Sequence, residues 1–316
     1  MLVIPTIRHQ HVTINGIRIF YRETRPLAAE SPVLLLLHGF PSASHQYRRL
    51  MEVLGSYCRM IALDYPGFGH SDVPQPASLG GSFAYSFDNL ADVVTRFVER
   101  LELNRFFLYV FDFGAPVGLR VAERMPQRIA GLIVQNGNLY HEGLSDAARA
   151  FIALTPDEEG AVEQVDNLLT LDATRMQYLS GTGDPASIAP DGWSLDQHFL
   201  DLPGRKQPRR DLAFDYKNNL ARYEEWQVWL RQHKPPTLVV WGRNDPFFVE
   251  AGARAILRDV PDARLHLFNT GHFALEECLP EIAPLIADFI GLDIEKLPAS
   301  LQGKAEIMQF PPSERS

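Results

Sequence analysis

Short, uninterrupted apolar runs alternate along this chain with stretches in which apolar residues recur at helical spacing. Residues 11–14 and 17–21 read as strands flanking Asn15-Gly16, a two-residue hairpin signal, so the chain is expected to open antiparallel. Val33-Leu34-Leu35-Leu36-Leu37 is apolar at every position, the pattern of a strand covered on both faces. Residues 60–63 repeat it. Phe87, Leu90, Ala91, Val94, Phe97, Val98 and Leu101 then fall on one face of a helix that feeds the strand Phe106–Phe111. Further strands are expected at 129–134, 237–241 and 263–268. The alternation predicts an α/β protein with a mostly parallel, doubly wound sheet.

The gap between Val134 and Thr237 is too long for a loop and carries helical periodicity, four tyrosines and three tryptophans. It is expected to be an inserted helical lid, closed by Pro235-Pro236. The expected division is a core of residues 1–137 and 231–291, a lid of 138–230, and a polar C-terminal tail of 292–316. Within the lid, Arg205-Lys206 and Arg209-Arg210 read as a solvated loop rather than an anion site.

Composition narrows the function. The 46% hydrophobic content suffices for a large core, and 30 basic against 39 acidic residues give a net charge of -9, which argues against nucleic acid and anionic membranes as partners. A small neutral organic substrate fits better; a homodimer is left open. Two cysteines, Cys58 and Cys278, make neither a disulfide framework nor a metal-ligand spacing, so no metal is expected. The N-terminus lacks a basic leader and no stretch approaches the roughly 20 apolar residues of a membrane span, so the expectation is a soluble, cytoplasmic protein.

The chemistry concentrates where strand 106–111 runs into Asp112-Phe113-Gly114-Ala115-Pro116, a strand-to-helix corner that displays a carboxylate. Asp112 alone could be a helix N-cap. In α/β-hydrolases, however, this corner holds the nucleophile of G-x-S-x-G, and an aspartate there attacks carbon without a base and forms an ester on the enzyme. Val110 departs from that pattern, which has a small residue two before the nucleophile.

Four more segments carry a family resemblance. His38-Gly39-Phe40-Pro41 resembles the H-G-x-P motif of epoxide hydrolases and haloalkane dehalogenases, in which Phe40 and Phe113 would supply the oxyanion-hole N–H groups. His38 itself reads as a histidine bonded to backbone. Asp64-Tyr65-Pro66-Gly67-Phe68-Gly69-His70-Ser71-Asp72 is similar to a loop that marks the superfamily. Asp245, in Trp241-Gly242-Arg243-Asn244-Asp245-Pro246, and His272, in Thr270-Gly271-His272-Phe273, complete the order nucleophile, acid, histidine. The resemblance implies that His272 activates water for attack on the ester while Asp245 orients its ring.

Within that resemblance the expected activity is opening of a small apolar epoxide to a vicinal diol, with no cofactor expected. Epoxide hydrolases place lid tyrosines opposite the nucleophile to protonate the departing alkoxide; Tyr178 and Tyr216 occupy plausible positions, with Tyr223 a competitor. Trp193, Tyr223 and Phe273 are the expected substrate-contacting residues. Haloalkane dehalogenases hold the halide with a Trp after the nucleophile, where this chain has Phe113, and fluoroacetate dehalogenases carry arginines where it has Phe113 and Pro116. Dehalogenation of a haloalkane or haloacid, with Trp193 donating to the halide, is the second reading. A non-catalytic receptor of the same fold is the third, and a serine esterase is disfavoured because residue 112 has no hydroxyl.

Overall fold

The structure is a computed structural model that describes residues 4–28, 30–293 and 297. Among the described residues eight strands form one sheet: β1 (Thr6–Ile14), β2 (Ile17–Arg25), β3 (Val33–Leu37), β4 (Arg59–Leu63), β5 (Phe106–Phe111), β6 (Ile129–Gln135), β7 (Thr237–Gly242) and β8 (Arg264–Phe268). Their order is β1-β2-β4-β3-β5-β6-β7-β8. The β1/β2 and β2/β4 pairs are antiparallel and the rest parallel.

The β3 run explains its own composition. Leu35 and Leu37 pack into one core with α2 (Phe87–Arg100) and α3 (Gly114–Arg124), whereas Leu34 and Leu36 pack into the other with α1 (Arg48–Leu54). All four leucines are fully buried, each contributing about 1.5–3 kcal/mol relative to exposure. In β5, Leu108 and Val110 face the first core, Tyr109 and Phe111 the second. Helix α2 begins where Ser86 Oγ accepts from the Asn89 N–H, as a capping serine does. The edge strand β1 starts five residues before the apolar pattern does, because Thr6, Arg8, His9 and Gln10 are exposed or half-buried and carry no burial signal.

Between β6 and β7 the chain makes α4 (Asp146–Ala153), α5 (Ala161–Asn167), α6 (Leu171–Leu179), α7 (Asp191–Asp201), α8 (Lys206–Asp215), α9 (Lys217–Leu220) and α10 (Tyr223–His233). Asp215 accepts from the Phe87 N–H at 2.8 Å, Arg120 donates to Asn219 at 2.8 Å, and His45 Nε2 lies 2.9 Å from Asp196 Oδ1. Polar contacts thus pin this insert to the sheet domain at several separate places. Arg205 and Lys206 to Arg210 belong to the end of a loop and the first turns of α8, not to a solvated loop: Arg209 is 2% exposed and Arg210 is paired with Asp166. The chain closes with α11 (Glu250–Asp259), α12 (Ala274–Glu277) and α13 (Leu279–Phe289); α13 joins α1 on the second face. Apart from Leu292, Asp293 and Leu297, the expected tail lies outside the described residues. Among the described residues no helix is long and apolar enough to cross a membrane.

Candidate active site

Parallel strands deliver their following loops to one edge of the sheet, and the candidate residues collect there. Asp112 follows β5 at φ +48, a strained left-handed conformation that turns its side chain out of the corner. The turn needs close approach. A Cβ on Gly39 would lie 2.4 Å from Asp112 Cβ, and one on Gly114 would lie 2.1 Å from the Leu37 carbonyl oxygen. The bulk of Val110 is accommodated from α3, where a Cβ on Gly118 would sit 2.5 Å from Val110 Cγ1.

The Phe40 N–H donates to Asp112 Oδ1 at 2.6 Å, and the Phe113 N–H also bonds this carboxylate. Burial raises the Asp112 pKa above the ordinary carboxylate value; His272 and the two N–H groups oppose that rise without cancelling it. His272, after β8, donates through Nδ1 to Asp245 Oδ2 at 2.6 Å and holds Nε2 3.8 Å from Asp112 Oδ2. That separation is too long for a direct hydrogen bond and accommodates a bridging water. Although burial disfavours the imidazolium, Asp245 and Asp112 raise the His272 pKa above its usual value.

Asp245 is itself held by four donors. The Phe247 and Phe248 N–H groups donate to Oδ1 at 2.8 and 3.1 Å, and Asn136 Nδ2 and His272 Nδ1 reach Oδ2 at 2.8 and 2.6 Å. Asn136, at φ +40 after β6, also accepts from the Gly242 N–H at 2.9 Å. The sequence marked the segment Gln135-Asn136-Gly137-Asn138 only as a strand end. Asn136's tolerance of the left-handed region was the available signal, but no local pattern foretold that it would bridge to β7. His38 is buried, with Nδ1 3.0 Å from the Gly39 carbonyl oxygen and Nε2 accepting from the Tyr65 N–H; desolvation lowers its pKa to about 4.

A cavity of about 420 Å³ lies over this edge, within the usual range for a small-molecule site. Phe40, Asp112, Phe113 and His272 line it from the sheet edge and Tyr216 from the insert, and Ala148, Phe151, Ile152, Val165, Leu168 and Leu169 give it an apolar wall. Gln164 and Asn167, which also line it, are exposed and mark its mouth on α5. Four residues expected to meet the substrate do not line it. Tyr178 points away: its hydroxyl donates to Asp196 at 2.6 Å and its ring stacks on Phe273 at 3.9 Å. Its helical neighbour Gln177 faces the cavity instead, since adjacent residues diverge by about 100° on a helix. Trp193 packs edge-on against Tyr178, and Phe273 lies beneath His272, so neither meets the cavity. Tyr223 is likewise behind the wall, its hydroxyl accepting from Tyr216 and from Asn138 Nδ2.

Gln177, which carried no expectation, and Arg209, which was expected in a solvated loop, both line the cavity. Gln177 is 3% exposed and its Nε2 has no partner among the described residues. Arg209 lies with its guanidinium carbon 3.7 Å from the centre of the Phe68 ring, and desolvation, reinforced by the Arg205 charge, brings its pKa down to about 9. Among the described residues no cluster of three or more His, Cys, Asp or Glu could hold a metal ion.

The family model for the alpha/beta hydrolase fold matches residues 32–278. An uncharacterized hydrolase of Saccharomyces cerevisiae is 36% identical over 280 residues, covering 87% of this chain and 94% of that protein. A haloalkane dehalogenase of Mycolicibacterium paratuberculosis is 36% identical over 84% of this chain and 88% of its own. Epoxide hydrolase 2 of Caenorhabditis elegans is 24% identical over 87% and 77%. Among solved structures, the haloalkane dehalogenase DbeA of Bradyrhizobium elkani superposes with a TM-score of 0.73 at 20% identity, covering 90% of this chain and 98% of that one. With its strand order, its corner after β5 and these matches together, the chain belongs to the α/β-hydrolase family.

Proposed function

We propose that this hydrolase opens an epoxide to a vicinal diol through a covalent Asp112 ester. The observation that carries the reading is one cavity presenting Asp112, His272 and the Tyr216 ring together, with phenyl rings at Phe40 and Phe113 5.7 Å apart beside the carboxylate. Asp112 Oδ2 attacks an epoxide carbon, the C–O bond breaks, and the oxygen takes a proton from Tyr216. Tyr216 donates to Tyr223 at rest, and Asn138 donates to Tyr223, so Tyr223 can turn its own hydroxyl proton toward the Tyr216 oxygen once that proton has moved. Tyr223 is therefore a positioning residue in this scheme.

Water between Asp112 and His272 then attacks the ester carbonyl. His272 takes its proton, Asp245 stabilises the imidazolium, and the Phe40 and Phe113 N–H groups hold the oxyanion; on collapse the departing alcohol oxygen takes the carboxyl proton, which frees the diol and leaves Asp112 ionised, and the imidazolium proton returns to the tyrosine pair, restoring Tyr216. The helices between β6 and β7 act as the lid, excluding bulk water from the ester.

Dehalogenation by the same ester route is the second reading, favoured by the 36% identity to a haloalkane dehalogenase. It meets a difficulty at the leaving group, because the side chains of Phe40 and Phe113 offer a halide no N–H and Trp193 lies outside the cavity. A single turnover in isotopically labelled water, with epoxides and haloalkanes run side by side, tests both. The first diol should carry unlabelled enzyme oxygen and later ones the label. Label in the first product would sink the ester, and halide release without diol formation would replace the first reading with the second.

A further inference from the structure

Arg209 is a cation taken out of water and, among the described residues, given no counter-ion. A guanidinium buried this way costs several kcal/mol unless its donors are satisfied. Only Nη1 is bonded, to the carbonyl oxygens of Gly67 and Arg205. Nε and Nη2 have no partner among the described residues. These two nitrogens share one edge of the guanidinium plane, and their parallel N–H bonds form the side-on fork that fits both oxygens of a carboxylate. The carboxylates that influence Arg209 through space, Asp196 and Asp64, are committed elsewhere. Asp196 is bonded by Tyr178 and sits beside His45, and Asp64 accepts from the Ser44 and His70 N–H groups. Gln177 adds a second buried, unpartnered donor in the wall of the same cavity.

We propose that Arg209 and Gln177 form an anion-binding end of the cavity, and that the substrate attacked at Asp112 carries a carboxylate on an apolar body. Arg209, Gln177 and Asp112 all line one space, so an apolar chain or ring can run between them along the α4 and α5 wall. Arg209 also answers an electrostatic problem, since an anionic substrate must approach the anionic Asp112. Its charge offsets that repulsion and fixes which end of the substrate enters first. The substrate class rests on the epoxide reading; the anion site does not.

Calorimetric titration of the full chain with unreactive phenylalkanoic acids of graded length, each against its primary amide, reads the site without turnover. At least one acid should bind about 10- to 100-fold more tightly than its amide, the range of charge-assisted hydrogen bonds. Arg209→Gln should bring the pair within about twofold, and Arg209→Lys should keep part of the preference by retaining charge without the fork. Gln177→Leu should weaken the acid by a few fold and leave the amide. Equal affinities across the whole series in the native enzyme, which needs no variant to fold, would overturn the proposal, as would an acid preference that survives Arg209→Gln and Arg209→Lys undiminished. Turnover of matched epoxy acids and epoxy amides separates the two readings. Acids that bind through Arg209 while no epoxide is opened would remove the epoxide chemistry and leave the anion site. Epoxides opened equally as acid and amide would do the reverse.

Discussion

Replacing His272 with Ala should convert the enzyme into a trap for its own intermediate. Asp112 needs no proton removed before it attacks, and the Phe40 and Phe113 N–H groups that orient it come from backbone the substitution leaves in place. Ester formation should change little above the native His272 pKa, where the imidazole is neutral and contributes little charge to Asp112. Hydrolysis is different: its general base is gone, a loss of about 10²- to 10⁴-fold, or about 3–5 kcal/mol at 1.36 kcal/mol per decade. The ester should therefore accumulate to near stoichiometry. His272 packs against Phe111, Phe247, Phe248 and Phe273 with ring centroids 4.7 to 5.8 Å away, so the Ala variant also loses about 2–4 kcal/mol of stability. His272→Gln keeps most of the volume and serves as the folded control. Asp245 retains its bonds from Asn136, Phe247 and Phe248 in either variant. Intact-protein mass spectrometry should show one substrate mass, mapping to the peptide that contains Asp112 and absent from His272→Ala/Asp112→Ala. A folded variant that turns over normally, or that binds substrate and forms no adduct, would refute the division of labour.

Tyr216→Phe should slow ring opening by about 10²- to 10⁴-fold in stopped-flow ester formation, whereas Tyr178→Phe should leave that step intact and lower Tm through the lost Asp196 bond; the reverse pattern would return Tyr178 to the site. The hydrolysis step should fail as pH falls through the His272 pKa of the ester, which Asp245 still raises but the esterified, uncharged Asp112 no longer does, and ester formation should fail as pH falls through an Asp112 value above the ordinary one. For stability the His272 sign is fixed: a raised native pKa contributes stability that is complete below the unfolded value and is lost as pH rises through the native one, which the pH dependence of Tm can check in His272→Gln. Gly118→Ala should cost about 1–3 kcal/mol by driving a methyl into Val110, and Val110→Ala in the same chain should restore part of it; additive costs in a double-mutant cycle would contradict the packing described.

Much of the architecture was legible because its determinants are local. A strand covered on both faces must be apolar at every position, so the leucines of β3 announced a parallel sheet on their own. The corner at Asp112, the His38-Gly39-Phe40-Pro41 loop and the positions of Asp245 and His272 after consecutive strands followed from chain order, since parallel strands bring their following loops to one edge.

The wall of the cavity was not legible, because it depends on which side each insert helix turns. One helical step separates Tyr178 from Gln177, and α6 packs so that the tyrosine enters the core while the glutamine meets the cavity. Arg209 reads as one cation in a polar run until α8 is docked, when Gly67 and Phe68 receive it and two of its nitrogens are left without partners. Asn136 bridges to Gly242 and Asp245 across more than a hundred residues of chain. Sequence determined what each segment would become, since periodicity and turn chemistry act over a few residues; tertiary structure alone decided which side chains share the cavity, since that depends on how the helices dock.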